Sequence, residues 1–133
     1  MNTLMKTLNI LSIIFLAFMM LYGAYNHVTN PAFYNGFIPD FMPKLIVNYF
    51  SAVMELMIGV LILVPKWRRF GAYSFIILIF AFFPIHVWDL LKDTPAIGSK
   101  SAAVIRLIVQ CLFIGIGYFV FKRSSFDSAQ RVK

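Results

Sequence analysis

Charged side chains are scarce: 13% of the 133 residues, with five carboxylates against twelve lysines and arginines. A soluble domain carries about a quarter charged residues, so a water-facing surface of ordinary composition is excluded. Cysteine is nearly absent. The single Cys111 cannot close an intrachain disulfide, and without a C-x-x-C pair there is no self-contained thiol–disulfide mechanism; it reads as a small apolar packing residue. The two histidines, His27 and His86, lie far apart and lack the spacing of a compact metal site, so no metal is expected. Phosphate loops, catalytic triads and haem-binding histidine pairs within one span are all missing. Period-two alternation is also missing, which excludes a membrane β-barrel.

What the chain has is apolar residues, 61% of it, gathered into four runs at about 8–25, 45–64, 70–88 and 102–121. Each approaches the ~20 residues a helix needs to cross a hydrocarbon core of about 30 Å. Only helices satisfy their own backbone there. The expected fold is therefore all-α, a polytopic four-transmembrane-helix bundle, with residues 1–133 forming one domain. The first run is too long for a signal-peptide core, and Tyr25-Asn26-His27 offers no small-residue cleavage site, so it reads as a retained span.

Four spans place the N-terminus, the second loop and the C-terminus on one side, with eight lysines and arginines (Lys6, Lys66, Arg68, Arg69, Lys122, Arg123, Arg131 and Lys133). The other side holds three, Lys44, Lys92 and Lys100, while Arg106 falls inside the fourth run. The positive-inside rule then puts both termini in the cytoplasm. The net charge of +7 is this orientation signal plus attraction to anionic lipid, and it leaves no basic folded surface for nucleic acid. Residues 124–133 read as a frayed tail. The long first loop, 27–44, has three prolines and four aromatics: too apolar for a solvated loop and too broken by proline for a helix. It should fold back on the outer membrane interface or lid the bundle. Pro84 is expected to kink the third span, and Ser99 or Ser101 to cap the fourth.

Within the second span, Asn48, Ser51, Glu55 and Gly59 recur at spacings of three and four, one stripe of a helix turned toward its neighbours. Glu55 is the one carboxylate inside any apolar run, roughly 15 Å from the outer end of its helix. A carboxylate at that depth is costly and marks a functional site by default; the bland alternative is a neutral or paired carboxyl that locks helix packing. Arg106 and Gln110 share one face of the fourth span. Arg106 either reaches Glu55 as an ion pair or snorkels to the outer interface. His27 ends the first span, and His86, with Asp89 three residues on, lies near the outer end of the third. These polar groups share the outer half, where they cap helices or meet a ligand beneath the first loop.

The pattern G-x-x-x-H-x-x-x-P-x-F-Y-x-x-x-I-P-x-x-x-P, on Gly23, His27, Pro31, Phe33, Tyr34, Ile38, Pro39 and Pro43, resembles the DoxX family of small bacterial membrane proteins. The segment from Glu55 through the basic turn to Ala72 is similar to that family, as is R-L-I-V-Q at Arg106–Gln110. The resemblance covers nearly the whole chain. It implies a four-helix bundle in the bacterial inner membrane. The family takes its name from a subunit of a thiosulfate:quinone oxidoreductase; some relatives are linked to thiol-redox defence, and more distant ones act as assembly factors or cargo receptors. Glu55, Arg106, Gln110, His27 and His86 match the family's polar positions, and the resemblance gives none of them a catalytic role.

Three functions remain open at this level. One is a redox-associated accessory subunit that binds a quinone or another lipid-soluble ligand at Glu55, Arg106, Gln110, His27 and His86. It has no covalent cofactor, so a membrane or periplasmic redox partner must supply electrons. The second is a non-catalytic scaffold or assembly factor. The third is a small proton-coupled carrier titrating at Glu55, which four spans would serve only as a homo-oligomer.

Overall fold

The computed structural model describes residues 2–131, with side chains described through Ser125. The chain forms α1 (Thr3–Thr29), a one-turn α2 (Pro31–Asn35), α3 (Lys44–Leu63), α4 (Arg68–Leu91) and α5 (Lys100–Arg131), with no strand among the described residues. All four long helices are apolar and long enough to cross a membrane. They overrun the hydropathic runs at nearly every end, because polar residues that end an apolar stretch still continue a helix once capped. Asn2 does this for α1, its Oδ1 accepting from Met5 N at 2.9 Å. Ser99 does it for α5, its Oγ accepting from Ala102 N at 3.1 Å, so of the two candidate caps Ser99 is the one used.

Two expectations are corrected. Residues 124–131 continue α5 instead of fraying, since nothing between Ser124 and Arg131 breaks the helix; Val132 and Lys133 lie outside the described residues. The first loop also contains a helical turn, because Pro31 sits at the first helical position, where its missing N–H and fixed φ do no harm. α4 runs on through Pro84, which can donate no hydrogen bond to the preceding turn.

The helices alternate in direction, each packing on its neighbours in a closed ring: α1 mainly on α3 and α4 mainly on α5, with α3–α4 and α1–α5 contacts completing it. Gly71 lets α3 and α4 close tightly, since a Cβ there would lie 2.7 Å from the Ile62 nitrogen. At that turn Arg68 donates from Nε to Ile62 O at 2.9 Å and from Nη2 to Leu63 O at 3.2 Å, serving the open carbonyls at the end of α3.

The interior is divided. Leu16, Ile58, Ile62, Phe75 and Val120 are all buried and fill the half near the α3–α4 turn. The other half, under α2, carries Asn48, Glu55, His27, Asp89 and Gln110, all buried. The outside is the reverse of a soluble protein: Phe18, Phe50, Phe80 and Leu112 are each more than half exposed. An apolar belt of that extent is stable against lipid, not water.

Candidate functional site

On α3, Asn48, Ser51, Glu55 and Gly59 are buried while Tyr49, Phe50, Val53, Leu56 and Met57 face outward. The stripe expected from spacing alone is therefore the inward face. Its Ser51 and Glu55 help to wall a cavity of about 400 Å³ under the first loop, whose lining also includes His27, His86, Arg106 and Gln110. All five residues singled out in the sequence meet here. The rest of the wall is aromatic and aliphatic, with Tyr34, Phe37, Phe82 and Phe113 among its members.

The first loop forms the roof. Phe37 and Ile38 are buried beneath it and Phe41 points outward, while Phe33 is exposed and also lines the cavity. Tyr34 stacks on the His27 ring at a centroid distance of 3.7 Å. Burial first, then the nearby Glu55 carboxylate and Tyr22, hold the Tyr34 phenol above its ordinary pKa. The Arg106 guanidinium lies over the Phe37 ring at 4.1 Å. Lys92 Nζ donates to Gly36 O at 2.7 Å and ties the roof to the turn after α4.

Two polar clusters stand in the cavity wall. In the first, His27 Nδ1 lies 2.9 Å from Asn48 Oδ1. Asn48 Nδ2 donates to Lys44 O at 3.0 Å and to Asn35 Oδ1 at 3.1 Å. Because the Lys44 carbonyl can only accept, the Asn48 amide is oriented with its oxygen toward the ring, and His27 Nδ1–H must be the donor. His27 Nε2 then faces Glu55 Oε1 at 3.8 Å. Glu55 Oε2 is buried without a hydrogen bond. Gly23 makes room for that carboxyl: a Cβ at Gly23 would stand 2.5 Å from Oε2.

In the second cluster, Arg106 Nη1 lies 2.9 Å from His86 Nδ1 and 3.6 Å from Asp89 Oδ2. Arginine only donates, so His86 Nδ1 accepts and the remaining ring proton is on Nε2. Asp89 is fully buried; its Oδ1 accepts from Ala96 N at 2.7 Å and lies 3.2 Å from Lys92 Nζ. The Arg106–Glu55 ion pair is thus not formed. Arg106 is held on the α4 side by Asp89 and His86, a nearer carboxylate and acceptor at its own end of the bundle. Gln110 is buried with Oε1 unpaired. Among the described residues no three His, Cys, Asp or Glu side chains group as metal ligands.

The sequence pattern does not mark Tyr34 and Gly23 as site residues, places Asp89 only among the outer polar groups that cap helices or meet a ligand, and gives Asn48 only as a packing position. For Asp89 the signal was its place three residues after His86. Gly23 and Tyr34 stood in the first-loop pattern, but nothing local revealed what they touch.

Residues 16–121 match a family described as a domain of unknown function (DUF8561). The chain belongs to that family. No curated protein and no solved structure matches it. The matched segment takes in every residue of both polar clusters, from Gly23 to Gln110, and the roof between them.

Proposed function

We propose that this chain is a DoxX-like protein of the bacterial inner membrane that holds the polar head of a lipid-soluble molecule of the quinone class in the cavity under α2, as a redox-associated accessory subunit. Both termini lie in the cytoplasm in this reading and the roofed end faces the periplasm. The observation that carries it is a mainly apolar, aromatic-walled space of about 400 Å³ into which Glu55, His27, His86, Arg106 and Gln110 converge, with Glu55 Oε2 and Gln110 Oε1 unpaired. Buried polar atoms are seldom left without partners, and a mostly apolar pocket with a few convergent polar groups is the usual form of a small-molecule site. A flat ring suits walls built from Tyr34, Phe37, Phe82 and Phe113, and protonatable groups beside it suit chemistry that moves protons with electrons. In this reading the electrons come from a membrane or periplasmic redox partner.

The packed half beyond Glu55, filled by Leu16, Ile58, Ile62 and Phe75, favours a dead-ended site over a through-going carrier. Native mass spectrometry of protein extracted gently from its own membrane tests the reading. The expected result is a bound, ligand-sized mass that falls by roughly three- to tenfold in Glu55→Gln, the loss of one hydrogen bond to the carboxyl. A clean apo mass for both proteins, or a co-purifying protein indifferent to the mutation, overturns it and leaves the scaffold function.

A further inference from the structure

The hydrogen-bond network around His27 specifies more than a pocket, because it dictates which oxygen chemistry can enter it. Asn48 is locked by the Lys44 carbonyl and by Asn35, so its oxygen takes the Nδ1 proton of His27. Neutral His27 is left with a bare lone pair on Nε2, beside Glu55 Oε1 at 3.8 Å. That gap is too long for a direct hydrogen bond. An oxygen set to one side, about 2.8 Å from each atom, reaches both.

We infer that the cavity selects a hydroxyl-bearing aromatic head, the dihydroxy form of a quinone-type ring, over the corresponding carbonyl form. A hydroxyl donates to His27 Nε2, and its lone pairs remain free to accept from Glu55 when that carboxyl carries a proton. A carbonyl oxygen has nothing to donate and meets the Nε2 lone pair with one of its own, whatever the state of Glu55. At the other cluster the polarity is reversed. Arg106 occupies His86 Nδ1, so His86 and Arg106 have only N–H groups to offer. They suit the ring's second oxygen as an acceptor, whether hydroxyl, ether or carbonyl. The stack of Tyr34 on His27 and the Phe37 ring under Arg106 supply flat walls between the two clusters. Leaving a buried acceptor unmatched costs more than a good hydrogen bond gains, which makes the discrimination large.

The inference rests on the ligand-binding reading above, and one binding series separates their failures. The full chain, in lipid nanodiscs under argon, is titrated with a decyl-substituted benzoquinone, with its dihydroxy form, and with the dimethyl ether of that form. The dihydroxy compound is expected to bind about tenfold more tightly than either of the others, a difference of about 1.4 kcal/mol. His27→Phe, which keeps a ring against Tyr34 but removes Nε2, should bring the dihydroxy compound and its ether within about twofold of each other. Equal binding of all three to the wild type overturns the inference and leaves the pocket. Preference for the carbonyl form also overturns it, by placing a proton on Nε2. Binding of none of the three overturns both.

Discussion

Asn48 holds two side chains and a backbone carbonyl in place: the His27 ring, the Asn35 amide and the Lys44 carbonyl in the first turn of α3. Its burial is nearly complete, at 1% exposure, so none of these bonds can be exchanged for water. Replacing it with leucine strands the His27 Nδ1–H in an apolar wall. Asn48→Leu should therefore destabilise the bundle by about 1–3 kcal/mol in mixed-micelle unfolding. Tyr49→Leu, one residue along on the outward face, should change it by less than about 0.5 kcal/mol. Equal effects would mean that the His27–Asn48 bond contributes nothing. The same bond has a spectroscopic signature: imidazole 15N shifts should place the proton on Nδ1 in His27 and on Nε2 in His86, opposite tautomers in one protein. Asp40, outside the spans and fully exposed, is held below its ordinary pKa by Lys44 beside it at 2.8 Å, a surface pair without bearing on the cavity.

The element that covers the cavity at this end is the roof, α2 with the residues that follow it. Its attachments are few and specific: Asn35 Oδ1 accepting from Asn48 Nδ2, Tyr34 on His27, Phe37 under Arg106, and Lys92 Nζ to the Gly36 carbonyl. Asp89 stands behind these contacts. By accepting from Ala96 N and pairing with Lys92 and Arg106, it shapes the α4–α5 turn against which the roof rests. A segment tied by so few bonds opens more readily than the helices it covers. Lys92→Met is expected to speed amide exchange in residues 33–41 by about tenfold, the loss of one charge-assisted hydrogen bond, while exchange in α3 stays unchanged. Unaltered exchange in the roof would show that the aromatic contacts and the Asn35–Asn48 bond hold it without Lys92.

The whole molecule is apolar outside and polar inside only in the half under the roof, and its basic residues are divided unequally between its two ends. The eight-to-three division of lysine and arginine predicts the direction of insertion. On a Cys111→Ala background, a cysteine at Thr94, in the turn after α4, should react with a membrane-impermeant maleimide in intact spheroplasts. One at Lys66, in the α3–α4 turn, should react only after lysis. The reverse pattern would turn the protein over and put the cavity roof in the cytoplasm. Cys111 itself is exposed on α5, so its removal should leave the bundle intact.

Hydropathy and periodicity are local properties, and they carried a great deal here. Four apolar runs suffice to dictate four spanning helices, because a backbone in lipid has no other way to satisfy itself. The three-and-four spacing of Asn48, Ser51, Glu55 and Gly59 turned that face inward, because small and polar groups find partners only against other helices. Even the gathering of His27, Glu55, His86, Arg106 and Gln110 at one end was legible, since apolar runs of similar length that alternate in direction bring set positions to the same level. Pairing was not legible. Arg106 is long enough to reach either carboxylate, and only the rotation of α4 and α5 against each other gives it to Asp89 and His86 instead of Glu55. The room for Glu55 beside Gly23, the orientation of the Asn48 amide and the opposite tautomers of the two histidines were settled in the same way. Each depends on which atoms of distant segments meet, and a one-dimensional pattern does not contain that distance.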